Sequence, residues 1–137
     1  MVMTQEEKSL LLKDLSARLP YGVKVLNMAE GANEVCELDS IMTSRKHKDN
    51  IFVSITLPDD FVMTGIEMVK PYLRPMSSMA EEEKTEYRNI APGIAWNHGI
   101  QFPTTNKIDW LNAHHFDYRG LIERGLALEA LDGMYND

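Results

Sequence analysis

The chain has 137 residues, of which 44% are hydrophobic and 26% are charged, and its formal net charge is -7. This length and composition indicate one globular domain that needs no disulfide or metal to fold, and they disfavour disorder over most of the chain. The excess of acidic residues disfavours binding to nucleic acid, because such proteins normally present a basic surface to the phosphates.

The first predicted element is an amphipathic helix within residues 1–20. Thr4 is a good N-cap and Glu7, three residues later, completes a capping box. The leucines at helical spacing are Leu11, Leu12, Leu15 and Leu19. Pro20 disfavours helical geometry in the residue before it, so the helix should end near Leu19. The leucine face needs a surface to pack on, either the sheet of the same chain or another copy.

Residues 21–72 change to a period of two, which is typical of strands. We predict strands at residues 23–28, 34–43, 51–57 and 65–69, with polar turns between them. Short strands at this spacing indicate a small antiparallel β-meander or an SH3-like barrel. With helices before and after the strands, the predicted fold class is α+β.

Cys36 lies within the second predicted strand, between Val35 and Glu37. Because acidic neighbours disfavour the thiolate, we expect a buried hydrophobic side chain rather than a nucleophile. The one local basic run is Arg45-Lys46-His47-Lys48. We interpret it as a solvated hairpin tip.

Two prolines mark the end of the strand region. Pro71 and Pro75 flank Tyr72, Leu73 and Arg74, and this spacing predicts a stiff, extended connector that leaves the sheet. Ser78 then follows as the expected N-cap of a peripheral second helix, with Glu81 at the capping-box position.

The C-terminal part, residues 73–137, is predicted to be helical with a short final strand. Residues 91–105 have no clear period and indicate an ordered loop. A helix should begin near Asn106 and continue to about Phe116, and Asp117 should cap another over residues 118–124. Gly125 fits the left-handed position after that helix, with Leu126 as its apolar contact. Alternation over residues 126–130 predicts a strand at the sheet edge.

A metal site is the first chemical hypothesis for this C-terminal part. His114, His115 and Asp117 lie close together, but adjacent helical residues diverge by about 100°, whereas two ligands on one helix need i, i+4 spacing. A site would need a ligand from elsewhere, such as His98 or Asp117. Packing of His114 on Trp110 and of His115 on Leu111 is the better interpretation. We therefore expect no metal and no cofactor.

A small hydrolase-type enzyme is the alternative function, with Asp117 orienting His114 or His115. The sequence holds no nucleophile-elbow, phosphate-loop or dinucleotide-binding motif, and Asp117 is already explained as a cap. We therefore predict a non-enzymatic binding module, with a protein partner or a second copy of the chain as its target. The residues of the candidate binding surface are Tyr72, Arg74, Trp110, His114, Tyr118 and Arg119.

Targeting signals are also absent from the sequence. The N-terminus has no basic region followed by an apolar run, and no apolar stretch reaches about 18 residues. We expect no signal peptide and no membrane span, and we predict a cytoplasmic protein.

Two segments resemble a known family. The first is Val69-Lys70-Pro71-Tyr72-Leu73-Arg74-Pro75-Met76-Ser77-Ser78-Met79 with the acidic run after it, and the second runs from Trp110 to Ile122 with Gly125-Leu126-Ala127. Together they resemble an uncharacterised family of short proteins encoded on prophage-like mobile elements of anaerobic bacteria. The resemblance covers roughly the second half of the chain. It implies a phage-related accessory protein and carries no catalytic residue over to this chain.

Overall fold

A computed structural model describes residues 3–43, 50–57, 60–90, 94–97, 100–103 and 106–135. The three helices are α1 (Gln5–Arg18), α2 (Glu81–Arg88) and α3 (Asn106–Ala113). The eight strands are β1 (Lys24–Asn27), β2 (Glu34–Thr43), β3 (Ile51–Thr56), β4 (Phe61–Gly65), β5 (Val69–Leu73), β6 (Ile94–Asn97), β7 (Ile100–Pro103) and β8 (Leu128–Glu129). The basic run at residues 45–48, as well as His98, lies outside the described residues.

Six of the strands form one open sheet in the order β4-β3-β2-β1-β5-β8. The first four follow one another as an antiparallel meander, and β5 returns to pair with β1 on its other side. The short β8 pairs with β5 in parallel. The fold is therefore α+β with an N-terminal helix and a mostly antiparallel sheet, in which β4 and β8 each pair on one side only as far as the described residues go.

Helix α1 begins as the sequence predicts. Glu7 N–H donates to Thr4 Oγ1 at 3.1 Å, and Thr4 N–H donates to Glu7 Oε1 at 2.9 Å, so the capping box is confirmed. Leu11 and Leu15 are fully buried against the sheet. They join a core that draws on β1, β2, β3, β5 and the chain after α3. Cys36 lies in this core, where burial raises the pKa of its thiol, as expected for a packing residue.

The predicted strand at residues 65–69 is wrong. Its residues are shared between the end of β4, a 3₁₀ turn at Ile66–Met68 and the start of β5. The predicted connector after it is also corrected, because β5 lies inside the sheet. Pro71 has no N–H, and it is tolerated because its nitrogen points towards the side of β8, where no described strand pairs with it. The side is known from Leu73, two residues later, whose main-chain oxygen accepts from Ala130 N–H on the β8 side. Pairing with β8 starts only at Tyr72.

Three further predictions about the second half need correction. Ser78 ends a 3₁₀ turn and donates to Pro75 O, while α2 has Ala80 at its N-cap and Glu83 accepting from its N–H. The described parts of the predicted loop at 91–105 form an antiparallel hairpin, β6–β7. The segment 118–124 is not helical, since Tyr118 and Arg119 form a bend and a single turn follows.

The turn after this bend ends as predicted. Gly125 has φ +75°, its N–H donates to Ile122 O, and Leu126 N–H donates to Leu121 O. These two bonds form a Schellman motif with Gly125 in the left-handed position. The final strand at the sheet edge is also confirmed as β8.

Candidate functional site

The end of helix α3 determines where the two histidines lie. The helix ends at Ala113, three residues earlier than predicted. His115 N–H donates to Asn112 O at 3.1 Å and Phe116 N–H donates to Leu111 O at 2.9 Å, which is a second Schellman motif. His115 occupies its left-handed position with φ +62°. The helical i, i+4 relation between His115 and Leu111 that we expected therefore does not apply.

The same segment is joined to the end of β5. Arg74 N–H donates to His115 O at 2.8 Å, and Asp117 N–H donates to Arg74 O at 2.9 Å. This parallel bridge between Arg74 and Phe116 brings the side chains of β5 and of the α3 end to one place.

A cleft of about 490 Å³ opens at this junction, and we call it the C-terminal cleft. Its volume falls within the range of small-ligand and peptide side-chain pockets. The lining residues are Tyr21, Gly22, Lys24, Glu37, Arg74, Ala113, His114, His115, Met134 and Tyr135. A second hollow of about 350 Å³ shares Arg74, Met134 and Tyr135 with it. Residues 131–135, the C-terminal segment, contribute to the walls of both.

The C-terminal segment forms part of the cleft wall and is held there by main-chain and side-chain groups of other elements. Lys24 N–H donates to Tyr135 Oη at 2.9 Å, and Tyr135 Oη donates to Tyr72 O at 2.7 Å. Lys24 Nζ donates to Met134 O at 2.8 Å. The ring of Tyr135 stacks on that of His115, with 3.7 Å between the ring centroids. Burial raises the pKa of Tyr135 to about 12.

His115 is neutral at physiological pH. Burial lowers the pKa of its imidazole to about 4, and the nearby positive charges of Arg18, Arg74 and Lys24 act in the same direction. The residue is only 6% exposed, and its Nδ1 is buried without a hydrogen-bond partner among the residues that the structure describes. A buried ring nitrogen without a hydrogen bond is costly.

Arg74 has its charge matched within the site. Its guanidinium donates two bonds to the Glu83 carboxylate, at 2.8 and 2.6 Å, and lies 4.1 Å from the Phe116 ring centroid. The bond from Arg74 lowers the pKa of Glu83. His114 Nδ1 lies 3.8 Å from Glu83 Oε2. The acidic group beside His114 is therefore Glu83.

Trp110 packs against His114, one of the residues that line the cleft. Its ring lies 4.1 Å from the His114 ring and 5.7 Å from the Phe116 ring, centroid to centroid, and its Nε1 donates to Glu86. The predicted packing of His114 on Trp110 is confirmed. Trp110 is partly buried against Leu111 and Phe116. Its ring contacts therefore position the side chains of His114 and Phe116.

Tyr118 and Arg119 are partly buried beside a polar network that is built around Asp14 and Arg18. Asp14 accepts from Arg18 Nε at 2.9 Å and from Arg119 Nη1 at 2.8 Å, and Arg18 also donates to Phe116 O at 2.6 Å. The Tyr118 ring lies 4.6 Å from the Arg119 guanidinium carbon. Asp14 and Arg18 are fully buried.

The sequence reasoning missed Asp14 and Arg18 as buried residues. A signal was present, because they lie three residues after Leu11 and three residues after Leu15, in phase with the leucine face of α1. A charged pair on the apolar face of a helix indicates a partner charge in the region on which the helix packs, which here is Arg119.

Asp117 acts as a cap. Its two carboxylate oxygens accept from Leu121 N–H at 2.8 Å and Ile122 N–H at 2.9 Å. Its side chain therefore holds the turn before β8, and the two histidines have other neighbours, Glu83 and Tyr135.

The candidate binding surface thus divides into two groups. Arg74 and His114 line the cleft, with Trp110 behind them. Tyr118 and Arg119 belong to the network with Asp14. Tyr72 is 7% exposed and contributes its main-chain oxygen to Tyr135.

Within the described ranges, no group of three or more His, Cys, Asp or Glu side chains is placed to hold a metal ion. The same part of the chain includes no helix of the length and apolar character needed to cross a membrane. Comparison with known proteins finds no match to a family model, to a curated protein or to a solved structure.

Proposed function

We propose that this protein is a non-enzymatic binding module, a cytoplasmic accessory protein of phage or prophage origin, and that it binds a peptide segment of a partner protein in the C-terminal cleft. The observation that carries the proposal is the way in which the side chain of Tyr135 is bound, by two hydrogen bonds to its hydroxyl and a stack on His115. At the wall of the cleft, the surrounding groups already bind an aromatic side chain and a main-chain carbonyl, those of Tyr135 and Met134.

The groups around Tyr135 specify the chemistry of the partner segment. His115 offers a neutral ring for stacking, Lys24 N–H offers a donor and Tyr72 O offers an acceptor for a phenolic hydroxyl. Lys24 Nζ adds a donor for the peptide carbonyl one residue earlier. A tyrosine within a short, flexible segment satisfies all four groups.

We also infer that β1 to β5 are an open variant of an SH3-like barrel. A four-stranded meander, a 3₁₀ turn at Ile66–Met68 and a fifth strand on the other side of β1 support this, because SH3-like domains connect their strands in that order. Fold likeness alone does not assign a function. It is compatible with a domain that binds peptides.

The alternative is a hydrolase-type enzyme that uses His114 or His115 with Asp117. One observation favours it, namely the unpaired Nδ1 of a neutral His115 in a cleft. The caps that occupy both oxygens of Asp117 count against it, since they leave this carboxylate without a role in orienting a histidine.

A peptide with the sequence of residues 129–135 tests the binding proposal. The full-length Tyr135→Ala variant should bind it with a measurable Kd by calorimetry, with NMR shifts at Lys24 and His115. The wild type should bind it at least about tenfold more weakly, because its own tethered Tyr135 competes at an effective concentration in the millimolar range.

Two controls accompany this titration. A peptide in which the tyrosine is replaced by alanine should not bind, and one with phenylalanine should bind more weakly because it lacks the hydroxyl. Equal binding to the wild type and the variant, or binding to neither, would refute the proposal. Ester or peptide hydrolysis that His115→Asn abolishes without unfolding would instead support the enzyme.

A further inference from the structure

Strand β4 is an edge strand whose own residues lack the features that usually protect an edge, although the Phe61 N–H at its start donates to Asp60 Oδ1 at 2.7 Å. It pairs with β3 on one side, and its five residues Phe61–Gly65 include no charge and no proline. Exposed edges offer unpaired N–H and C=O groups to any further strand, and natural sheets commonly block them with lysine, proline or a bulge. We propose that β4 pairs antiparallel with β4 of a second copy, which makes the protein a weak two-fold dimer.

The side chains beside this edge form an apolar patch. Phe61 is 62% exposed and Met63 is 48% exposed, and both share the outer face of the sheet with Phe52 of β3. Phe52 lies directly opposite Gly65. The five residues of β4 carry no charge, and the nearest carboxylates along the chain are those of Asp60 and Glu67 at its two ends. The central residues of the strand bring no charge to a second copy of a chain whose net charge is -7.

The order of residues in β4 fits a copy of itself. In an antiparallel pair centred on Met63, the two Met63 side chains face each other and Phe61 of each copy lies opposite Gly65 of the other. A large side chain thus meets a residue without a side chain, over which the Glu67 carboxylate lies in the single copy. A two-fold interface of this kind is closed, so the pairing stops at a dimer.

The size of the patch sets the expected strength. Phe61, Met63 and Phe52 are each about half exposed, so at about 200 Å² for a whole side chain they offer roughly 300 Å² per copy. With the strand backbones, the total lies near the lower limit of about 1,000 Å² for a specific interface. The dimer should therefore form only at micromolar concentrations or above.

Acidic groups at the rim oppose the pairing. The Glu67 side chain folds back over Gly65 and must move aside for the Phe61 ring of the other copy. In the same register Asp60 of one copy approaches Glu67 of the other. Salt screens such exposed charges, so the dimer should strengthen as ionic strength rises. Glu67→Gln should strengthen it as well.

Sedimentation velocity across a concentration series tests the proposal. The weight-average mass of the wild type should rise towards that of two chains, whereas Met63→Lys should remain a monomer. Met63→Glu should also be monomeric, and an equal mixture of these two variants should recover the dimer because opposite charges then face each other across the axis. Met76→Lys changes a methionine exposed to 39% outside β4 and should dimerise like the wild type.

Hydrogen exchange of the wild type gives a reading that needs no variant. The amides of β4 should become more protected as the protein is concentrated. A wild type that is monomeric at all concentrations, a dimer that survives Met63→Lys, or a mixture that fails to recover would each overturn the proposal. Protection of β4 by another protein's strand in place of a second copy would overturn it too. The peptide titration at the C-terminal cleft is independent of all these outcomes.

Discussion

Strands β4 and β5 have five residues each and are separated by a single 3₁₀ turn. In the order of strands, however, β4 lies at one edge of the sheet and β5 lies between β1 and β8, near the other edge. In β5, Val69, Pro71, Tyr72 and Leu73 are buried. In β4 none of the side chains is fully buried. Their compositions suggest the reverse, because β5 contains a lysine and a proline whereas β4 is rich in strand-forming residues.

The difference comes from what the rest of the chain places on β5. Ala130 donates to Leu73 O, Tyr135 donates to Tyr72 O, and the segment after α3 bridges to Arg74. These contacts join residues that lie more than 40 positions apart in the sequence. Burial of a strand therefore depends on its neighbours in the fold more than on its own hydrophobicity, and within the described ranges β4 has such a neighbour on one side only.

The largest expected effect is the loss of the network that fastens α1 to the C-terminal half. Asp14→Ala leaves the buried guanidinium of Arg18 without its carboxylate, which should cost about 3–5 kcal/mol of unfolding free energy. Urea denaturation measures it. Glu81→Ala removes a carboxylate from an ion pair that is 88% exposed on that side and should have a far smaller effect. Equal costs for the two variants would show that the network is not needed.

A second prediction concerns pH. The pKa of His115 is about 4 in the folded protein and should be near 6.5 in the unfolded chain. The unfolded state thus binds more protons between these values, and stability should fall as pH is lowered from about 6.5 to about 4. The loss is about 3 kcal/mol at about 1.4 kcal/mol per pKa unit.

The control for this pH dependence is His115→Asn, since asparagine tolerates the positive φ and does not titrate in this range. Denaturation of both proteins at several pH values gives the difference, and the carboxylates common to both cancel. Parallel curves for the two proteins would show that His115 is not buried in its neutral form.

A third prediction concerns the turn that leads into β8. Asp117→Ala removes two hydrogen bonds from backbone N–H groups and should cost about 1–2 kcal/mol. Gly125→Val should cost more than a typical cap, because a β-branched residue resists φ +75°. Thermal or urea unfolding measures both. Wild-type stability in each variant would contradict the structural role of Asp117 and favour the catalytic one.

The smallest expected effect lies on the outer face of β2, next to β3. Met42 is 48% exposed and lies opposite Phe52. Met42→Lys should change the unfolding free energy by less than about 0.5 kcal/mol, as is usual for surface positions. A cost of several kcal/mol would mean that another part of the chain covers this face.

The elements that could be predicted from sequence are those whose signals are local. The capping box of Thr4 and Glu7, the extent of β2 and the left-handed end at Gly125 each depend on residues within one or two turns of each other. The binding surface could be predicted less well. Arg74 and His114 do meet in the cleft, but the roles of Asp14, Arg18 and Tyr135 depend on partners about 60–100 positions away.

His115 illustrates the boundary between the two kinds of information. Its identity and its place near the end of a helical pattern are visible in the sequence. The sequence also predicts that its side chain packs against apolar residues. Its positive φ, its low pKa and its stack with Tyr135 follow from β5, α1 and the C-terminal segment meeting around it. Hydrogen bonding within a turn acts over a few residues and can be recognised from them, whereas desolvation depends on every atom that surrounds a group after folding.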